Sequence, residues 1–170
     1  MAAVTGSGVH TNGDGIRQAY GTAQTRDAKG GSPAQKGPVT YLTFQLDAAD
    51  FPLYDDTADR FLERIPVTAL PSGMLLRKAT IITTTAFTGT SATLTLGTAT
   101  QDGTIVDADG IDATIALTAI DAVGEEVACD GALIGTKLAS DQFLTIDVGT
   151  ASFTAGKAIL VIEMVRPEAT

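Results

Sequence analysis

Polar and apolar residues alternate along most of this chain once it passes Val39. VTYLTFQL (39–46) alternates between Pro38 and Asp47 and predicts a strand. DAADFPLYDDTADR predicts a loop with one helical turn. FLERIPVTAL (61–70) predicts a second strand, which Pro66 demotes to an edge or a bulge. MLLRKATIITTTAF (74–87), rich in Thr and Ile, is a long strand, and SATLTLGTA (91–99) is another, with Gly89-Thr90 as the turn between them. IDATIALTAI (111–120) fits either two helical turns capped by Asp112 or a strand. The stretch from Ala122 to Ser140 is rich in turn residues and holds one short strand. QFLTIDV and KAILVIEMV alternate on either side of GTASFTAG, so residues 142–166 are expected to form a hairpin.

Short strands, Gly-punctuated turns and almost no helical period predict an all-β fold. An antiparallel β-sandwich or jelly roll closes such a set. Residues 1–38 have no such period. Glycine and small polar residues dominate them, which predicts an extended N-terminal arm (1–38) on a β-sandwich body (39–170). The anchors available to that arm are Val9, Ile16, Arg17 and Tyr20.

Charge sharpens the division. The arm carries Arg17, Arg26, Lys29 and Lys36 against Asp14 and Asp27, a net +2. The remainder carries 7 basic and 18 acidic groups, a net −11, which together give the chain's −9. Between Ala79 and Thr136 there are eight acids and no Lys or Arg. This balance argues against nucleic acid as a partner. A basic arm can instead dock on the acidic body of a neighbour, or both can be solvated faces. No secretory segment and no run of apolar residues long enough to span a membrane is visible, so the expectation is a soluble product of the cytoplasm.

Candidate chemistry is sparse. Asp102, Asp107, Asp109 and Asp112 offer closely spaced oxygens of the kind calcium takes, but DADG supplies only a fragment of a calcium-loop motif. The pairs Asp102-Gly103, Asp109-Gly110 and Asp130-Gly131 also read as tight turns with an acidic rim. Cys129 stands alone, which precludes an intramolecular disulfide and reads as a small buried hydrophobe. The single His10 lies in the arm, remote from any nucleophile. No phosphate-cradling glycine motif is present, and no cofactor or catalytic activity is expected. A carbohydrate-binding module is the sandwich alternative, but the chain has no Trp, and its tyrosines are Tyr20, Tyr41 and Tyr54.

ATLTLGTATQDGTIVDADGID and FTAGKAILVIEMV together resemble small structural proteins of tailed bacteriophages, especially capsid decoration or cement proteins. The matching positions are Leu94, Gly97, Asp107, Asp109 and Gly110, then Phe153, Thr154, Ala155, Gly156, Ile159, Val161 and Glu163, within residues 73–166. The resemblance implies a virion protein made in the host cytoplasm and carried on the outside of the head. It implies the major capsid protein as partner, homo-oligomers (trimers or dimers), and an arm that reaches the shell. Attachment to a tail or a head fibre is the neighbouring possibility.

Overall fold

Apolar side chains at every second position of an extended segment need a second sheet to cover them, and the body is built on that requirement. The computed structural model describes residues 8–11, 17–20, 39–54, 60–61 and 69–167. It separates into two compact units, 1–40 and 41–170. In the first, β1 (Gly8–Thr11) and β2 (Arg17–Tyr20) form an antiparallel two-stranded sheet.

The other strands are β3 (Val39–Asp47), β4 (Arg60–Phe61), β5 (Leu75–Gly89), β6 (Thr93–Ala99), β7 (Ile105–Ala116), β8 (Glu126–Ala128), β9 (Thr136–Lys137), β10 (Phe143–Gly149) and β11 (Phe153–Val165). One sheet runs β4-β10-β6-β7. The other runs β3-β11-β5-β8, with β9 also pairing β5. The predicted all-β, antiparallel architecture is the observed one, and the described residues contain no α-helix. Phe44 and Leu46 of β3, Leu76 and Ile81 of β5, and Leu160 and Ile162 of β11 point inward from one sheet. Leu94 and Leu96 of β6, Ile111 and Ile115 of β7, and Ile146 and Val148 of β10 meet them from the other, in a single core.

The hairpin expected over residues 142–166 is not a hairpin, and the turn at Gly89-Thr90 does not join neighbouring strands either. β5 and β6 lie in different sheets, and so do β10 and β11. β5 pairs with β11 in one sheet while β6 pairs with β10 in the other. The four strands are therefore one antiparallel ribbon folded over on itself. At the fold, Gly89 sits opposite Phe153 and Thr93 opposite Gly149. Alternation identifies strands but is silent on whether a connection returns to the same sheet or crosses to the facing one. Both crossings use left-handed backbone at non-glycine residues, Ser91 (φ 57°) and Thr150 (φ 66°), a conformation disfavoured for a β-branched residue such as Thr150.

Smaller expectations also resolve. The helical turn after β3 is a 3-10 turn, Ala48–Asp50, capped by the Asp47 carboxylate, which accepts from the Ala49 N–H at 3.1 Å. The ambiguous IDATIALTAI is strand up to Ala116 and then a 3-10 turn, Leu117–Ala119. Ala122–Ser140 holds two short strands rather than one. Of the FLERIPVTAL segment only Phe61, in β4, and residues 69–70 are described. The rest of that prediction lies outside the described residues.

Candidate functional site

The acidic stretch is the natural place to look for chemistry. Its first carboxylate, Asp102, is spent on a turn. It accepts from the Thr100 hydroxyl and, at 3.3 Å, from the Thr104 N–H, while the Gly103 N–H donates to the Thr100 carbonyl at 3.0 Å. These hydrogen bonds hold its pKa below the ordinary aspartate value, that from Thr100 most of all.

Asp107, Asp109 and Asp112 are not in a turn, which corrects the tight-turn reading of Asp109-Gly110. They belong to β7, where Thr98 pairs with Asp107 but Leu96 pairs with Asp112. Two steps along β6 thus match five along β7, a wide bulge. The segment that follows β8 clamps this bulge. The Gly131 N–H donates to the Ile111 carbonyl at 2.9 Å and the Leu133 N–H to the Gly110 carbonyl at 2.8 Å. Asp130-Gly131 is accordingly part of the clamp, and the turn lies just beyond it, ending at Gly135 (φ 83°).

Partial burial raises the Asp107 pKa, and the neighbouring Asp109 adds to the effect. Asp112 is buried, and its Oδ1 accepts from the Thr114 N–H at 3.0 Å. Burial raises its pKa, with the charge of Asp130 adding and the Thr114 bond opposing. Among the described residues no three of His, Cys, Asp or Glu come together in a way that could hold a metal ion. Cys129 lies beside Asp112, is buried, and has a thiol pKa pushed up to about 12, first by burial and then by the Asp112 charge. It is an unreactive packing residue.

A folded-state pKa above the unfolded one means that Asp112 favours the fold when protonated. Its contribution is present below the ordinary aspartate value and is lost as pH rises through the raised one. Asp112→Asn retains an acceptor for Thr114 and removes the charge. The expected result is a variant at least as stable as the parent at pH 7, with a flatter profile between about pH 4 and 7. Melting curves at both pH values check this; a lower melting point at pH 7 with an unchanged profile would refute it.

The predicted arm anchors fall as follows. Val9 pairs with Ala19, Arg17 with Thr11 and Tyr20 with Gly8 in the β1–β2 sheet. Ile16 lies outside the described residues. In the body, Tyr41 is half-exposed (49%) on the outer face of the β3-β11-β5-β8 sheet. With Lys78, Thr80, Ile82, Glu126, Val161 and Glu163 it lines a shallow cavity of about 230 Å³. Glu163 accepts from Arg77 at 2.9 Å across the same face. These side chains offer apolar area edged by charges of both signs, which suits contact with a protein surface. Leu53 and Tyr54 are exposed near the sheet crossings, where the Tyr54 N–H donates to the Ser152 hydroxyl at 3.1 Å. The outer-face surface was legible only in part: Tyr41 was placed on a strand, but its neighbours depend on strand order.

No helix among the described residues is long and apolar enough to cross a membrane. No protein-family model matches the chain, and no curated protein matches it. Its fold is similar to that of chains in three solved structures. One is the acidic stable capsid structure of Helicobacter pylori bacteriophage KHP30 (TM-score 0.51, 17% identity, covering 76% of this chain and 89% of that one). Another is the capsid of Ralstonia phage GP4 (TM-score 0.55, 16% identity, 77% and 86%). A third is the capsid asymmetric unit of cyanophage Pam1 (TM-score 0.51, 17% identity, 92% and 98%). The body's architecture is therefore one that occurs in chains of phage capsids.

Proposed function

We propose that this chain is a structural protein of a phage virion, which binds the outside of an assembled head and stabilises it by bridging major capsid subunits. The observation that carries this reading is the two-way coverage of the fold matches. At least 86% of each matched capsid chain is spanned, so the likeness is to a whole small chain rather than to one domain of a larger subunit. The sequence resemblance to decoration proteins supports the same reading, and so does a body built of strands and an outer face suited to protein contact.

The mechanism is linkage. A protein that binds only the assembled shell stabilises that state by its binding free energy, and many symmetric copies multiply the effect. The basic segment 1–38 is the fastening element, with Val9, Ile16, Arg17 and Tyr20 as anchors. Arg17 supplies charge-assisted hydrogen bonds to shell carboxylates, and Tyr20 supplies rigid contact area.

Deleting residues 1–38 is expected to leave the body folded by circular dichroism while weakening attachment to purified undecorated heads by about a hundredfold, the scale on which losing one of two linked contacts acts. Co-sedimentation with heads measures it. Full-strength binding of the shortened chain would eliminate the arm mechanism.

A further inference from the structure

β7 ends one large sheet and β8 ends the other. Residues 129–135, between β8 and β9, tie the two sheets together. The Cys129 N–H donates to the Ala79 carbonyl of β5 at 3.0 Å. The Gly131 and Leu133 N–H groups donate to the Ile111 and Gly110 carbonyls of β7, and the Gly135 N–H returns to the Leu76 carbonyl of β5 at 2.6 Å. The segment is therefore a strap that leaves one sheet, lands on the bulge of the other and comes back. Its inner side belongs to the core: Cys129 is buried, and Leu133 and Ile134 pack against the buried cluster.

Carboxylates line the seam between strap and bulge. β7 brings Asp107, Asp109 and Asp112, and the strap brings Asp130 and the Cys129 thiol. β6, the neighbour of β7, brings Leu96 and Thr98, and β5 brings Ala79, none of which titrates. No Lys or Arg occurs between Ala79 and Thr136. Lys78 lines the outer-face cavity instead, and Lys137 is exposed on β9. Asp112 is only 4% exposed and faces both Asp130 and Cys129. A Cβ on Gly110 would lie 2.7 Å from the Asp107 carboxyl carbon and 2.6 Å from the Leu133 side chain, so a second β7 carboxylate sits where the strap lands.

We propose that the strap is an acid-tightened latch. Residues 129–135 stay closed on the β7 bulge while Asp112 is protonated, and they lift off as a unit, leaving both sheets folded, when Asp112 ionises opposite Asp130. A carboxylate at a buried seam lowers its free energy either by holding a proton or by gaining water. Lifting the strap supplies the water and separates the two charges. Burial raises the Asp112 pKa and the Asp130 charge adds to it; the Thr114 and Asp130 N–H groups and the Cys129 thiol oppose without outweighing them. The closed strap thus binds the proton more tightly than the open one. Closure is favoured below the ordinary aspartate value, and that advantage is lost as pH rises through the raised one. Opening frees the Gly110 and Ile111 carbonyls and lets water reach Cys129, while the β6–β10 and β5–β11 ladders keep their own hydrogen bonds.

The test is hydrogen exchange of the full-length chain in low-salt buffer from about pH 4.5 to about pH 7.5, with protection corrected for the intrinsic rate at each pH. Opening at the Gly131 and Leu133 amides should rise by about fivefold or more across this range, the scale of one like-charge contact. Amides of the β6–β10 ladder should keep their protection. Cys129, the chain's single cysteine, is a second readout. Its rate of modification by iodoacetamide, divided by that of the unfolded chain at the same pH, should rise in step. Asp112→Asn and Asp130→Asn should each flatten both profiles. Asp130 is exposed, so its variant is expected to keep the fold whether or not Asp112→Asn does. Asp121→Asn, exposed in the turn before β8, should leave both profiles unchanged. Protection at Gly131 and Leu133 that ignores pH, ladder amides that open in step with them, a corrected Cys129 rate that stays constant, or a full pH response in Asp130→Asn would each overturn the latch.

Discussion

Gly156→Ala is expected to destabilise the body by about 3–5 kcal/mol, from left-handed strain and overpacking together. Gly156 has φ of +135°, a region that side-chain-bearing residues rarely adopt. A Cβ there would lie 2.3 Å from the Phe87 ring and 2.6 Å from its Cα. Phe87 cannot swing away. Its ring stacks on Phe51 (centroids 5.9 Å apart) and meets Phe153 edge-on at 5.4 Å, and its N–H donates to the Ile120 carbonyl at 3.0 Å. The β5–β11 register shifts around this glycine, which is how a large ring fits over the strand. Thermal unfolding should show a fall on the order of 10 °C for a body of this size. Gly73→Ala is the control. Its φ is +78° but nothing lies within 4 Å of the added carbon, so only about 1–2 kcal/mol of backbone strain is at stake. Equal losses from the two substitutions would show that the Phe87 contact is unimportant.

Gly97→Ala is expected to act on the opposite sheet by a different route. A Cβ on Gly97 would lie 2.1 Å from the Ala108 carbonyl oxygen and 2.4 Å from that of Asp107. These are backbone atoms, so no side chain can rotate to relieve the contact. The bulge of β7 must move away from β6, and its clamp must move with it. There a second close approach, a Gly131 Cβ at 2.4 Å from the Gly110 carbonyl oxygen, leaves no slack. We expect a loss of about 3 kcal/mol or more. Hydrogen exchange should accelerate at Gly131 and Leu133, whose amides hold the bulge, while the β5–β11 ladder stays protected. Unchanged exchange at those two amides would contradict the close-packing account.

The same two glycines show what the sequence discloses and what it withholds. Strands β3, β5, β6, β10 and β11 are legible because their apolar residues recur at every second position, a local signal. The all-β class follows from them. What Gly97 and Gly156 do is not legible, because the atoms that exclude a Cβ come from Asp107, Ala108 and Phe87, brought near only by strand pairing. The turn signals at Gly89-Thr90 and in GTASFTAG are limited for the same reason: turn residues mark a reversal but do not choose the sheet. Aspartates beside glycine have several local uses, and only the pairing of Leu96 with Asp112 reveals a bulge at Asp109-Gly110. The neutral character of β3 is written in VTYLTFQL, but its place at an edge is not. The anchors Val9, Arg17 and Tyr20 came from composition, and the β1–β2 pairing they enter has no periodic signal in so glycine-rich a segment.

β3, the first strand of the body, lies against β11, the last, with more than a hundred residues between their partners. Such a closure has a temporal cost. While the chain is being synthesised, β6 waits for β10 and both β3 and β5 wait for β11, so one large sheet stays incomplete until the tenth strand has cleared the ribosome and the other until the eleventh has. Folding must then proceed through distant encounters, a slow class of search. A nascent chain halted near Gly149 would hold β3 and β5 without the strand that joins them, and would be an early substrate for chaperones or proteases.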